Sequence, residues 1–222
     1  MCFSANVSFL AAGVLSVIGL LSLYISRTRA EKTIACTPLF FAIQQATEGL
    51  VWLTLPVGTG LIAYLGVYAY LFFVFIFWPL WMPIAVSFYE NEWKRKIAMY
   101  CCTAAGGCLA LYFLYILLLY GANAQIEGHH IKYAFNAHFT FFEELIGNAF
   151  YCVAVLVPLF ICSKPRVWYF GAALAASYVI TYIFYYAAFT SVWCFFGALL
   201  SLLTLYIIYY NQHREKHIHK KH

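Results

Sequence analysis

Seven long apolar runs dominate the chain and leave little sequence for anything else. They fall at about 4–26, 33–56, 61–88, 97–120, 138–162, 167–187 and 190–210, separated by charges or turn residues. A helix needs about 20 apolar residues to cross a bilayer, so each run is long enough to span one. A membrane barrel is excluded, because barrel strands alternate apolar and polar residues over about 10 positions, whereas Tyr68 to Trp78 is apolar on every side. Within such a run only a helix satisfies its own backbone polar groups. The chain is 65% hydrophobic and 9% charged, against about 25% charged in an ordinary soluble domain, which excludes a soluble globule. The expected fold class is all-α: a polytopic integral membrane protein with one seven-helix domain over 1–210 and a basic His/Lys-rich tail over 211–222.

The basic residues set the expected orientation. Arg27, Arg29 and Lys32 follow the first run, Lys94, Arg95 and Lys96 the third, Lys164 and Arg166 the fifth, and Arg214, Lys216, Lys220 and Lys221 the seventh. With seven spans, all of these lie on one side and only Lys132 on the other. The positive-inside rule then puts the N-terminus outside and the C-terminus in the cytoplasm. A signal peptide carries its positive charge before its apolar run. Here the charge follows, so the first run is expected to stay as an anchor. The tail's basic residues are expected to meet anionic lipid.

Small residues allow close helix approach in lipid. The candidates are Ala11-Ala12-Gly13, the run Ala104 to Cys108, and Gly171 to Ser177. Pro79 and Pro83 predict a bend in the third span, near its cytoplasmic half. Trp81, Trp93, Tyr120, Trp168 and Tyr209 lie near span ends, as interfacial aromatic residues do. Of the eight cysteines, six read as buried small hydrophobes. Cys2 and Cys194 approach the outer surface, where a disulfide between them is geometrically open.

Ionisable residues inside a membrane are costly and call for a functional explanation. Glu48 is the clearest, in the outer half of span two, and a neutral, protonated carboxyl is its expected form there. Gln44, Gln45 and Trp52 share its helix face. In span five Asn136, Thr140, Glu144 and Asn148 recur every four residues, with Glu143 beside them, His138 at the outer mouth, and Glu127, His129 and His130 in the preceding loop. If the two stripes face one cavity open to the outside, Gln44, Gln45, Glu48, Trp52, Thr140, Glu143, Glu144 and Asn148 would bind a ligand. His138, Glu144 and Glu48 would then be able to hold a divalent metal. The competing reading makes Glu143 and Glu144 solvated, the histidines ordinary loop residues, and Glu48 a packing hydrogen bond.

The opening Met1-Cys2-Phe3-Ser4-Ala5 with Ser8-Phe9, the segment Phe41 to Gly49 with Trp52, Trp78-Pro79 with Pro83, and Trp193 to Phe196 resemble a family of uncharacterised bacterial multi-pass membrane proteins. The resemblance implies a seven-helix protein of the bacterial inner membrane and carries no established activity. Three functions stay open: binding or gradient-driven transport of a small molecule or cation, an intramembrane metal or acid/base enzyme acting on a lipid-soluble substrate, and a sensor or assembly subunit. The chain has no G-x-x-x-x-G-K-[ST] loop and no H-E-x-x-H pair, and no lysine in span seven for a retinal. Mid-span histidine pairs for haem are also missing from the sequence. Nucleotide, retinal and haem are thus not expected. Membrane lipids are the expected partners, and nucleic acid is not.

Overall fold

The computed structural model describes residues 4–58 and 60–219, apart from the side chains of 187, 211 and 213–219. Seven helical rods pack into one bundle. They are α1 (Ala5–Ile25), α2 (Arg29–Thr54), α3 (Leu61–Tyr89), α4 (Trp93–Leu119), α5 (Phe141–Ile161), α6 (Pro165–Phe184) and α7 (Phe189–Tyr210, with helical backbone on to His219). All but α2 are long and apolar enough to cross a membrane. α2 has the length, at 26 residues, but carries Gln44, Gln45, Glu48 and a charged first turn. The outward faces are apolar: Leu10, Leu111 and Leu118 are 69%, 69% and 73% exposed.

The chain is helical as expected except in the connection between α4 and α5. That connection forms an antiparallel hairpin of β1 (Ala122–Glu127) and β2 (His130–Phe135), paired from Ala122↔Phe135 to Glu127↔His130. Gly128, at φ 62°, takes the first central position of the two-residue turn, where only glycine is comfortable. Strand side chains alternate between faces. Ala122, Ala124, Ile126, Ile131, Tyr133 and Phe135 therefore share one face, which packs on Val51, Val67, Leu71 and Leu117 at the ends of α2, α3 and α4.

In α3 the backbone departs from α-helix as a π turn over Phe73–Phe77, which starts six residues before Pro79, where the bend is expected to begin. The Trp78 amide bonds to the Phe73 carbonyl, five residues back, and the helix resumes with Pro79 in its first turn, where its missing N–H costs little. Pro83 leaves the Pro79 carbonyl without its helical donor. α4 comes close at that point: a Cβ on Gly106 would lie 2.2 Å from the Pro79 oxygen. The small-residue run in span four is thus a close crossing, centred on Gly106.

The end of the bundle opposite the hairpin is fastened by two buried carboxylates. Glu31 accepts from the amides of Arg27 (2.8 Å) and Thr28 (3.2 Å), completing a capping box on α2. Gln212 of α7 donates to the Ile25 carbonyl and to Glu31. Glu90 accepts from the amides of Asn91, Glu92 and Ser163 and from the Ser163 hydroxyl, at 2.6–3.0 Å, joining the α3–α4 turn to the α5–α6 turn. Arg95 reaches the Ile161 carbonyl (2.8 Å), and Arg166 sits 3.7 Å over the Tyr210 ring.

Candidate functional site

Two polar regions lie near the hairpin end, and they are separate. The first is a buried centre on α2. Gln44, Gln45 and Glu48 are each fully buried, so they do not look into a cavity open to the outside. Glu48 accepts from the Ser191 hydroxyl of α7 through Oε1 (2.6 Å) and from Gln45 Nε2 through Oε2 (3.4 Å). Gln44 Oε1 accepts from the Trp78 indole of α3 (2.7 Å), whose ring stacks on Phe41 at 3.9 Å. Cys194 is buried beside Gln44 and Tyr70 and does not reach the surface of the bundle. Its expected partner, Cys2, lies outside the described residues.

The hairpin closes this centre. Tyr133 of β2 stacks on Tyr70 with ring centroids 4.4 Å apart and planes within 9°. Tyr70 donates to the Thr190 carbonyl at the start of α7 (3.4 Å). Beneath that cover Gln44 Nε2, Gln45 Oε1 and the Trp52 indole nitrogen are buried without a hydrogen-bond partner. Trp52 packs against the hairpin's inner face, one turn beyond Glu48.

The second region is a cleft of about 360 Å³ between α5, α6 and β2. Glu143, Glu144, Gly147 and Asn148 of α5 form one side. Phe75, Phe113, Phe135 and Phe139 form an aromatic wall, with Phe75 and Phe113 4.3 Å apart. Opposite stand Tyr178, Tyr182 and Tyr186, spaced four residues apart, and Phe189. Buried Tyr151 is at the floor. A Cβ on Gly147 would meet nothing within 4 Å, so this glycine keeps the cleft wide. The charge of Glu144, with a smaller contribution from burial, raises the Tyr186 phenol above its ordinary value.

The polar stripe expected on span five is therefore divided. α5 begins at Phe141, not 138: Thr140 is its N-cap and accepts from the Glu143 amide (3.3 Å), while Glu143 accepts from the Thr140 amide (2.7 Å) and hydroxyl (2.8 Å). Asn136 belongs to the hairpin's base, where it accepts from Asn123 (2.7 Å). His138 is exposed in the connection before the helix, and His129 and His130 sit at the hairpin tip. Only Glu143, Glu144 and Asn148 of the expected ligand set line the cleft. Glu48 and His138 are not brought to Glu144, and among the described residues no three His, Cys, Asp or Glu side chains group closely enough to hold a metal.

The description of a family of unknown function, DUF6629, matches residues 1–220, nearly the whole chain. The chain belongs to that family. No curated protein and no solved structure matches it. In this DUF6629 protein the sequence reading passed over Ser191, the hydroxyl that joins α7 to Glu48, and the Tyr178–Tyr182–Tyr186 ladder. The four-residue spacing of those tyrosines was the available signal, since it places three rings on one helix face.

Proposed function

We propose that this DUF6629 protein is a seven-span protein of the bacterial inner membrane, with its N-terminus outside and its C-terminus in the cytoplasm, that binds a small molecule in the aromatic cleft. The cleft itself carries the reading. Its 360 Å³ falls within the roughly 300–1,000 Å³ of small-molecule sites, and an apolar lining with few polar groups at the mouth is typical of them. The distribution of basic residues supports the orientation, which puts the mouth at the outer surface. In this reading α2 also spans and brings the number of spans to seven, its polar face turned inward on Gln44, Gln45 and Glu48. The buried centre is a fastening that fixes α7 and the hairpin, and with them two sides of the cleft.

Gly147→Phe tests the proposal by filling the space that the glycine leaves. Wild type and variant are purified in lipid nanodiscs and their co-purifying small molecules compared by native mass spectrometry. The wild type is expected to retain a small molecule that the variant, melting at the same temperature, lacks. Identical spectra would sink the proposal.

A further inference from the structure

We infer that the cleft selects an amphipathic organic cation: a substituted ammonium joined to an apolar or aromatic body. The inference rests on the cleft being a binding site and names its ligand class.

Ring geometry is the first argument. Tyr178 and Tyr182 are parallel within 6°, with centroids 6.4 Å apart, and Tyr186 stands at 89° to Tyr182 at 5.4 Å. The edge-to-face contact of Tyr182 and Tyr186 holds the two rings in fixed orientations along the cleft, where a compact cation packs on whichever ring face is turned to the cavity. Aromatic surroundings of this kind suit alkylammonium groups, whose spread charge is shed from water easily.

Charge is the second. Glu144 at the mouth is exposed and has no basic partner among the described ion pairs. Lys132 is the one basic residue lining the cleft among those described, and its ammonium is held by Glu127 at 3.1 Å. With Glu143 alongside Glu144, an anion entering here meets repulsion. A bare inorganic cation would find aromatic rings instead of the several oxygen ligands that it requires. The cleft's depth then accounts for the body of the ligand. Beyond the carboxylates it is walled by Phe75, Phe113 and Phe135, two pairs of which lie 5.3 Å apart, centroid to centroid. An apolar or aromatic group of the ligand would pack there.

The test uses a pair of probes that differ only in charge: benzyl(hydroxyethyl)dimethylammonium and the uncharged isostere with a quaternary carbon in place of nitrogen. Binding to the full chain in zwitterionic nanodiscs is followed by isothermal titration calorimetry, with empty nanodiscs as reference. The cation is expected to bind about tenfold more tightly than the isostere, a ratio that corresponds to about 1.4 kcal/mol. Glu144→Gln should lower cation affinity several-fold and leave the isostere unchanged, while Glu92→Gln at the opposite end should alter neither. If both probes bind equally and Gly147→Phe abolishes both, the cleft is a site but its preference for cations is refuted. If neither probe binds while the wild type still retains a small molecule that Gly147→Phe lacks, the cleft remains a site and the cation inference falls alone. Loss of both probes in Glu144→Gln would mean that the carboxylate shapes the cleft and does not attract charge, which also overturns the inference.

Discussion

Glu48 ties two helices through its two oxygens, Ser191 on one and Gln45 on the other. Leaving buried partners unsatisfied costs about 1–3 kcal/mol. Glu48→Ala is therefore expected to lower the thermal midpoint in detergent substantially. Glu48→Gln should be nearly neutral, because rotating the Gln45 amide turns its unpaired Oε1 toward the new side-chain amide. Equal losses in the two variants would contradict this account. Glu90 behaves differently because its partners are mostly backbone amides. Burial raises its carboxyl, but the amides of Glu92, Ser163 and Asn91 and the Ser163 hydroxyl outweigh burial and hold it below the ordinary value. Its contribution to stability is thus complete above the unfolded carboxyl's pKa and lost as pH falls through the lower folded value. A Glu90→Gln variant should be less stable than wild type at neutral pH, and the difference should shrink on acidification below about pH 4; thermal melts across pH check it. Glu48 was legible in the sequence because a carboxylate inside an apolar run stands out. Ser191 was not, since a serine sits in a membrane helix at little cost and its partner lies 143 residues away.

The crossing of α3 and α4 shows how two local rules meet. Proline at 83 frees the carbonyl of Pro79, and glycine at 106 lets the neighbouring backbone approach it. Gly106→Ala would drive a methyl group to 2.2 Å from that oxygen, and backbone cannot yield as a flexible side chain can. A loss of at least about 3 kcal/mol is expected, the upper range for overpacking, measured as a fall in unfolding midpoint; Gly107→Ala, facing Leu80 at 3.8 Å, is the tolerant control. The six helices that pass on length and apolarity were legible at this scale, as was the small-residue run. The hairpin was missed although Ile131, Tyr133 and Phe135 alternate with Lys132 and Ala134, because a loop between two apolar runs was expected and the alternation spans few residues. The start of α5 was placed early for a related reason. Thr140 and Glu143 are a capping box, which marks where a helix begins, and they were read as a stripe along one.

For the whole molecule, orientation is the property on which the proposed function depends. In intact cells a membrane-impermeant maleimide is expected to label Gln125→Cys on the hairpin's exposed face above the native background, and Lys94→Cys only after the membrane is breached. The opposite pattern would invert the topology and place the cleft on the cytoplasmic side. How the polar regions divide was not open to sequence reasoning. That Gln44 and Glu48 share a face is a property of one helix, whereas their separation from Glu144 depends on how α2 and α5 are placed in the bundle.

The contact between Glu48 and Ser191 also bears on the order in which the bundle can be completed. α2 is made early and α7 last, so during synthesis the Glu48 carboxyl waits in the partly built bundle without the Ser191 hydroxyl. The hairpin can already pack on α2, α3 and α4, but the Tyr70 hydroxyl beneath Tyr133 gains the Thr190 carbonyl only when α7 arrives. Closure at this end therefore waits for α7, and a chain interrupted before residue 189 would carry the Glu48 carboxyl without the Ser191 hydroxyl that it accepts from in the finished bundle, a feature by which an unfinished protein differs chemically from a finished one.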